Sequence, residues 1–322
     1  MSETASRHTP VMLDRCVELL SPALTAPGAV VIDATLGLGG HSEALLTAHP
    51  RLTVVGIDRD RDAIALASER LAFAGDRFVA FHGTYDDIDA ALATAGARRA
   101  DAILFDLGVS SLQLDEDERG FAYSREAPLD MRMNRDDLVT AASLLATESE
   151  DEIARILHAY GEERFARKIA RSIVKRRETD PIERSEQLVD LVRACIPAAS
   201  RTPGSNPAKR TFQGLRIAVN RELDVLEAAM DAAIASINVG GRIVVMSYHS
   251  LEDRIVKHAF AAGAQTSAPP GLPVVPLDAQ PYLKLLTRGA EKASEEEIAR
   301  NSRSKPVRLR AVERTRKTAR TT

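Results

Sequence analysis

The first hundred residues alternate short apolar runs with stretches of helical pattern. Four of the runs are continuous and rich in β-branched and aromatic residues: Ala29–Ile32, Thr53–Ile57, Phe78–Phe81 and Ala102–Phe105. Such runs are typical of strands buried on both faces of a parallel sheet. Helical patterns at 42–48 and 63–72 lie between them. The alternation predicts an α/β, doubly wound, Rossmann-like sheet with right-handed crossovers.

The alternation stops after Asp106 and resumes near residue 222. Between these points helical patterns occupy 149–177 and 185–196, with no convincing strand. The later segment has helical patterns at 222–237 and 251–260 and strand patterns at 242–246, 282–287 and 307–312. We therefore predict one sheet domain, formed by 1–112 and 218–322, interrupted by an all-helical insertion at 113–217.

Composition excludes several classes of protein. Hydrophobic residues make up 44% and charged residues 28% of the 322 residues, as in ordinary globular proteins. No apolar run could span a bilayer, and the N-terminal residues lack the pattern of an export signal. The two cysteines and seven histidines lack the spacing of a disulfide framework or a metal site. These features predict a cytoplasmic protein without a metal centre or membrane partner.

Charge is distributed unevenly along the chain. Residues 300–322 carry a net charge of +8, whereas the remaining residues carry −11. A basic end on an acidic body indicates an anionic partner such as nucleic acid. A solvated tail, at 314–322, is the alternative interpretation.

The turn after the first strand is the most informative segment. It contains Gly37, Gly39, Gly40 and His41, and a helical pattern begins near Ser42. Glycines let a ligand approach the backbone closely, and a helix N-terminus favours an electron-rich group. Asp58, at the end of the second strand, has the position of a carboxylate that accepts hydrogen bonds from a ribose diol.

Two ligands fit this turn, a dinucleotide and S-adenosylmethionine. The dinucleotide fingerprint requires a third glycine where this chain has Ser42. Asp33, just before the turn, would repel a pyrophosphate but suits the ammonium group of a methionine moiety. The residues therefore favour S-adenosylmethionine over NAD.

Two further strand ends extend this candidate site. Tyr85 follows the third strand, where its ring could stack on adenine or simply be half-buried. The segment from Asp106 to Gln113 follows the fourth strand, at the edge where such sheets bind ligands. A turn without chemistry is the alternative for that segment.

Seven short strings occur together and in order, and they resemble the MraW/RsmH family of bacterial methyltransferases. These are HTPVML (8–13), GLGGHS (37–42), DLGVSS (106–111), RGF (119–121), PLDMRM (128–133), RTFQGLRIAVN (210–220) and SYHSLEDR (247–254). The resemblance runs from about His8 to Glu313. It implies a class I methyltransferase that modifies N4 of a cytidine in the decoding centre of 16S ribosomal RNA, with a helical insertion that helps to bind RNA.

The resemblance also implies a set of cofactor contacts. S-adenosylmethionine would be bound by Gly37, Gly39, Gly40, His41, Asp58, Tyr85, Asp106 and Gln113. The chain departs from the family pattern in three places. Ala34 stands in place of glycine, Tyr85 stands where phenylalanine is common, and Asn206 begins a motif that usually starts with histidine. Asn206 is therefore not included in the site.

Cytosine N4 is a poor nucleophile, whereas the sulfonium of S-adenosylmethionine is a strong electrophile. The enzyme must hold nitrogen, methyl and sulfur in line, and an acceptor beside the amine would help. Asp106 can orient the amine or serve the cofactor alone, and both interpretations remain open. Tyr248 and His249 follow the fifth strand and are candidates for the substrate side, where a flipped-out base must be held. A packing or capping role is the alternative for His249.

Basic residues of the insertion are candidates for RNA binding. Five fall on one face of a predicted helix, opposite its apolar face: Arg164, Arg167, Lys168, Arg171 and Lys175. This stripe could follow phosphates, or it could be a solvated face paired with Glu162 and Glu163. Arg210 and Arg216 are further candidates.

Three other functions are alternatives to RNA methylation. A methyltransferase for a small molecule or protein would have a compact lid in place of the long insertion. A catalytically silent RNA-binding or assembly factor would have lost the cofactor turn. An NAD-dependent dehydrogenase lacks an evident hydride-transfer site. The substrate form, RNA or assembled small subunit, is open, and a homodimer is compatible with the sequence.

Overall fold

The computed structural model describes residues 10–110, 112–113, 116, 119–121, 126–201, 204, 206–269 and 274–317. Parts of three predicted features lie outside these residues: His8 and Thr9 of the first string, Ser111 of the fourth-strand segment, and the tail from 318 to 322. The chain divides into two compact units, Met1–Gly108 with Leu223–Thr322, and Val109–Glu222. The boundaries of the insertion predicted from the sequence lie after residues 112 and 217.

The first unit is a seven-stranded sheet with helices. Its strands are β1 (Val30–Asp33), β2 (Thr53–Asp58), β3 (Phe78–His82), β4 (Ala100–Asp106), β5 (Ile237–Ser247), β6 (Leu283–Leu285) and β7 (Arg308–Arg314). Its helices are α1 (Leu13–Leu20), α2 (Gly40–Ala48), α3 (Arg61–Arg70), α4 (Ile88–Thr94), α10 (Glu222–Ser236), α11 (Ser250–Ala264) and α12 (Glu295–Arg300), where α10 starts at the last residue of the second unit.

The strand order is β3-β2-β1-β4-β5-β7-β6. The first five strands pair in parallel, and β7 runs antiparallel to both β5 and β6. This is the predicted doubly wound, Rossmann-like class I methyltransferase sheet. The order reverses between β1 and β4, so the carboxyl ends of these strands form the edge where open α/β sheets bind ligands.

Both faces of the sheet are buried at β1, β2 and β4, as their continuous apolar runs predict. The same prediction is wrong for β3, which is an edge strand with half-buried and exposed residues. Val31 and Val54 pack into one hydrophobic cluster together with α1 and α2. Ile32 and Val55 pack into a second cluster with α4 and α10. Successive residues of a strand point to opposite faces, so each strand contributes to both clusters.

The second unit has its own core, built from helices. They are α5 (Ala141–Thr147), α6 (Glu150–Ala159), α7 (Ala166–Arg177), α8 (Ser185–Cys195) and α9 (Lys209–Asn220). Ile153, Ile169 and Leu188 are fully buried in this core. Among the described residues, no helix is long and apolar enough to cross a membrane.

The continuous helical pattern predicted over 149–177 is wrong at its centre, where α6 and α7 are separate. A Cβ on Gly161 would lie 2.4 Å from the carbonyl oxygen of Arg210, so α9 approaches the backbone at this point. Glu162 has φ 50, in the left-handed region that ends a helix. The close approach of a distant helix therefore breaks the local pattern.

Candidate active site

The glycine turn leads from β1 into α2. Gly37 and Gly39 have φ of 50 and 75, values that residues with a Cβ rarely adopt. A Cβ on Gly39 would also lie 3.1 Å from the Leu71 side chain. The amide of Gly37 donates a 2.8 Å hydrogen bond to Oδ2 of Asp58. The turn is thus fixed by its hydrogen bond to Asp58 and by glycines at the positions where its backbone is left-handed.

Asp58 joins this turn to the end of β2. Its Oδ1 accepts a 2.9 Å hydrogen bond from the amide of Asp60. Burial raises the pKa of Asp58 to about 6, although the two amide hydrogen bonds favour the ionised form. Each carboxylate oxygen has a second lone pair available. The Asp58 carboxylate can therefore accept hydrogen bonds from a diol while it supports the turn.

Asp33 is buried between β1 and the start of α2. It accepts hydrogen bonds from the hydroxyl of Ser42 at 2.6 Å and the amide of Thr35 at 3.3 Å. Burial raises its pKa, and the nearby His41 and the bond from Ser42 oppose that rise. A buried carboxylate of this kind is stabilised by a cation, such as the ammonium or sulfonium group of S-adenosylmethionine.

Asp106, at the end of β4, is contacted from three other elements. Its amide donates to Oγ1 of Thr35 at 2.6 Å. Its Oδ1 accepts a 2.6 Å hydrogen bond from the hydroxyl of Tyr248, and its Oδ2 lies 3.9 Å from Nδ1 of His41. Burial raises the pKa of Asp106, against the influence of His41 and Tyr248. The structure thus brings the predicted residues His41, Asp106 and Tyr248 together.

His41 is held in place by the segment that precedes α1. Its Nε2 lies 3.0 Å from the carbonyl oxygen of Val11. Pro10 packs so closely on the turn that a Cβ on Gly40 would lie 2.4 Å from its Cγ. The amide of Met12 in turn donates to Oε1 of Glu297. Pro10 and Val11 of the string HTPVML therefore contact the glycine turn and its His41.

Tyr248 and His249 differ in what they contact. The phenol of Tyr248 faces Asp106, and burial raises its pKa well above the ordinary value. His249 is the N-cap of α11: its Nδ1 accepts a 3.4 Å hydrogen bond from the amide of Glu252, whose side chain accepts from the amide of His249. The capping role that the sequence left open as the alternative for His249 is thus present. A role for His249 on the substrate side stays a prediction.

Tyr85 follows β3 and packs against β4. Its ring meets that of Phe105 edge to face, with centroids 6.2 Å apart. The Arg59 guanidinium lies 5.6 Å from the Tyr85 centroid. Stacking of Tyr85 on adenine stays a prediction.

Gln113 lies in the second, helical unit and is buried there. Its Oε1 accepts a 3.1 Å hydrogen bond from the amide of Ser110, and the Ser110 hydroxyl accepts from the amide of Gln113 at 3.2 Å. Its contact with the cofactor stays a prediction.

The predicted basic stripe is shorter than the sequence pattern. Because α7 begins at Ala166, Arg164 precedes the helix and is not part of the stripe. Arg167, Lys168, Arg171 and Lys175 are exposed on α7. Lys168 donates to the carbonyl of Cys195 at 2.8 Å, and Arg171 lies 3.5 Å from Glu150. RNA binding by Arg164 and by these four residues stays a prediction.

The two candidates on α9 also have partners within the helical unit. Arg210 donates to the carbonyl of Glu162 at 2.9 Å. Arg216 makes two 2.8 Å hydrogen bonds to the Glu222 carboxylate, and its side chain is only 15% exposed. A bidentate contact of this kind fixes the position of the guanidinium. RNA binding by Arg210 and Arg216 stays a prediction.

Sequence reasoning missed two residues that shape the site. Thr35 positions the backbone of Asp106, and Glu252 binds the amides of Tyr248 and His249 at 2.7 and 3.2 Å. Signals for both were present. Thr35 lies two residues after β1, and Glu252 lies three residues after His249, which is the spacing of a capping box.

Comparison with known proteins gives a consistent result. Residues 5–315 match the family described as the MraW methylase family. A protein of Streptomyces avermitilis is 58% identical over 98% of this chain and 99% of its own length, and one of Frankia alni is 59% identical over 96% and 95%. One of Mycolicibacterium smegmatis is 56% identical over 95% and 84%. All three are named ribosomal RNA small subunit methyltransferase H.

Proposed function

The chain belongs to the MraW methylase family, and on this premise we propose that it methylates N4 of a cytidine in the decoding centre of 16S ribosomal RNA. The family assignment made from the motifs is confirmed. The chain is thus an S-adenosylmethionine-dependent methyltransferase of small-subunit ribosomal RNA, and the dehydrogenase alternative is wrong.

The residues of the glycine turn fit S-adenosylmethionine. Gly37 and Gly39 allow the left-handed backbone of the turn, and the Asp58 carboxylate can accept from the ribose hydroxyls. Asp33 and Asp106 are buried carboxylates with raised pKa, and the positive groups of the cofactor would stabilise their ionised forms. When bound, the cofactor supplies an electrophilic methyl group on a positively charged sulfur.

One observation carries the N4 assignment: Asp106 Oδ1 and the Tyr248 hydroxyl are 2.6 Å apart at the edge of the sheet next to this turn. Tyr248 fixes one oxygen of Asp106 and so fixes the direction of the free lone pairs. A carboxylate oriented in this way can accept a hydrogen bond from an exocyclic amine. That bond draws the nitrogen lone pair out of conjugation with the ring and gives the departing proton an acceptor.

Positioning supplies most of the remaining catalysis. Amine nitrogen, methyl carbon and sulfur must lie in line, which converts a bimolecular step into one between fixed partners. Thr35 holds the backbone of Asp106. A paired cytidine could not reach this edge, so we propose that the base is flipped out of its stack, with Tyr248 as an aromatic face beside it.

The helical unit would bind the surrounding RNA. Its exposed cations Arg167, Lys168, Arg171 and Lys175 form a stripe on α7, and Arg210 is exposed on α9. Such cations neutralise phosphates without reading sequence. We propose the assembled small subunit in the cytoplasm as the substrate, because a decoding-centre nucleotide is brought to its final shape by assembly. The homodimer stays a prediction.

The variant Asp106→Asn separates the two roles of this residue. If Asp106 orients the amine, the single-turnover rate falls at least a hundredfold, within the roughly 10²–10⁴-fold range for general acid–base groups, and the affinity for S-adenosylmethionine changes little. Stopped-flow transfer and calorimetry measure the two quantities. Weakened affinity with an unchanged rate would reject the orienting role. Asp76→Asn, at an exposed turn before β3, is the control for the loss of one carboxylate.

A further inference from the structure

Arg308 lies at the edge of the sheet that carries the active site. It is the first residue of β7, and the antiparallel register pairs it with Ser247, the residue before Tyr248. Because β7 runs against β5, its start lies beside the carboxyl end of β5. The side chain of Arg308 is 47% exposed. A half-exposed guanidinium therefore lies next to the strand end that holds Tyr248.

One carboxylate, Asp253 in the first turn of α11, tethers two arginines. Arg310 contacts both of its oxygens, at 2.7 and 3.2 Å, and is only 15% exposed. Arg308 reaches the same carboxylate with Nη1 alone, at 3.2 Å. Hydrogen bonds from both arginines hold the pKa of Asp253 below its ordinary value despite its burial. The three groups together carry one net positive charge.

The free part of Arg308 is suited to a phosphate. No described residue makes a hydrogen bond or ion pair with its Nε or Nη2, so the edge of the guanidinium formed by these two atoms remains available. The single tether to Asp253 limits the rotamers of the side chain, which lowers the entropy lost on binding. A planar donor fork of this kind binds phosphate oxygens in pairs.

The exposed face of α11 extends the positive charge. Arg254 and Lys257 are exposed and lie three residues apart on one face of the helix, and Lys257 is one turn beyond Asp253. The two acidic residues of this helix, Glu252 and Asp253, are both buried. No described acidic side chain pairs with Lys257. The charge of Lys257 is therefore uncompensated by the described acidic residues.

We propose that Arg308, Arg254 and Lys257, here called the sheet-edge basic patch, bind the phosphates of the RNA strand that flanks the target nucleotide. This inference rests on the proposed function, and it assigns an RNA contact to the methyltransferase unit itself. The patch holds the backbone beside the strand end that carries Tyr248. Its contacts are to phosphate, so it positions the strand without reading its sequence.

The test is the salt dependence of RNA binding. The probe is a fluorescein-labelled fragment of the decoding region of 16S ribosomal RNA, measured by anisotropy with S-adenosylhomocysteine present. Each phosphate contact contributes about 0.7–0.9 to the slope of log K against log salt. Arg308→Ala should lower the slope by about 0.8, which corresponds to roughly sixfold weaker binding at 0.1 M salt and about twofold at 0.4 M. Lys257→Ala, which loses no described contact, should have a similar effect.

Matched variants distinguish this contact from a general charge effect. Arg98→Ala removes one exposed positive charge before β4, at the opposite end of the strands, and should leave the slope unchanged. Arg308→Lys keeps the charge and should restore most of the slope even if α11 is weakened. The same slope change in Arg98→Ala would overturn the proposal.

Two further outcomes would also overturn it. An unchanged slope in both Arg308→Ala and Lys257→Ala, while the wild-type protein still methylates subunits, would leave the proposed function standing without this patch. If Arg308→Ala and Lys257→Ala bind RNA as the wild-type protein does but no longer bind phosphatidylglycerol vesicles, the patch would be assigned to a lipid surface. Failure of the wild-type protein to methylate ribosomal RNA would instead contradict the proposed function.

Discussion

The variant Asp58→Asn distinguishes an effect on cofactor binding from an effect on folding. The Asp58 carboxylate stabilises the glycine turn, whereas its burial in the ionised form costs free energy of folding. Its oxygens accept hydrogen bonds from the amides of Gly37 and Asp60. An asparagine side chain keeps one acceptor oxygen in the same place. Its amino group would face the second amide, so one of the two hydrogen bonds is lost.

Two opposing contributions to stability follow from this geometry. Loss of a hydrogen bond to a charged acceptor costs about 1.5–3 kcal/mol. The pKa of Asp58 is raised from 3.8 to about 6, so ionised Asp58 destabilises the native state above pH 6 by at most about 3 kcal/mol, which the variant recovers. We therefore expect the free energy of unfolding at pH 8 to change by less than about 1.5 kcal/mol.

Cofactor affinity should change far more than stability. A carboxylate accepts hydrogen bonds from both hydroxyls of a ribose, whereas asparagine can accept from one. The expected loss is about 2–3 kcal/mol, or roughly 30- to 160-fold in Kd. Isothermal titration with S-adenosylhomocysteine and urea unfolding at pH 8 measure the two quantities, with Asp76→Asn as the control. Affinity within threefold of wild type would refute the ribose role, and a stability loss above about 3 kcal/mol would refute the stability argument.

Three further predictions concern the same site. Gly40→Ala should lower the free energy of unfolding in urea by about 1–3 kcal/mol, because the new Cβ would lie 2.4 Å from Pro10 Cγ; no change would show that the segment is loosely packed. Tyr248→Phe should slow single-turnover transfer roughly tenfold, because Asp106 loses a 2.6 Å hydrogen bond, and should leave the cofactor Kd within about threefold of wild type. Equal losses in rate and in cofactor affinity would mean that Tyr248 serves binding. Affinity for S-adenosylhomocysteine should fall by up to about tenfold per pH unit below the Asp58 pKa of about 6, whereas calorimetry of Asp58→Asn should show a shallower profile, because Asp33 and Asp106 still titrate.

The sign of this pH effect follows from the direction of the shift. The pKa of Asp58 is raised in the folded protein, so the native state binds a proton more tightly than the unfolded chain. Its contribution to stability therefore improves as pH falls from about 6 towards 3.8, while cofactor binding, which needs the ionised form, becomes weaker.

The sheet and its ligand-binding edge could be predicted because both depend on local signals. Strands buried on both faces must be continuously apolar, and β1, β2 and β4 fit this rule. Gly37 and Gly39 have positive φ, which glycine adopts without strain, so the turn was visible in the sequence. Asp58 lies where a parallel strand ends, and topology alone places it beside the turn.

The remaining features depend on contacts between distant residues. Tyr248 bonds to Asp106 across 142 positions, and no local pattern shows which rotamers make them meet. The break at Gly161 results from the close approach of α9, which the helical periodicity of 149–177 does not contain. Arg216 looked like a free cation in the sequence, but the fold places it on Glu222. Partner choice by charged side chains is set by tertiary structure rather than by spacing.

The most direct test of the proposed function is transfer of a labelled methyl group from S-adenosylmethionine to small ribosomal subunits that lack the modification. The RNA is then digested and its nucleosides are separated. We expect label in N4-methylcytidine from the decoding region with the wild-type protein, and no label with Asp106→Ala. Label in a different nucleoside, or no label on subunits despite demonstrated cofactor binding, would contradict it.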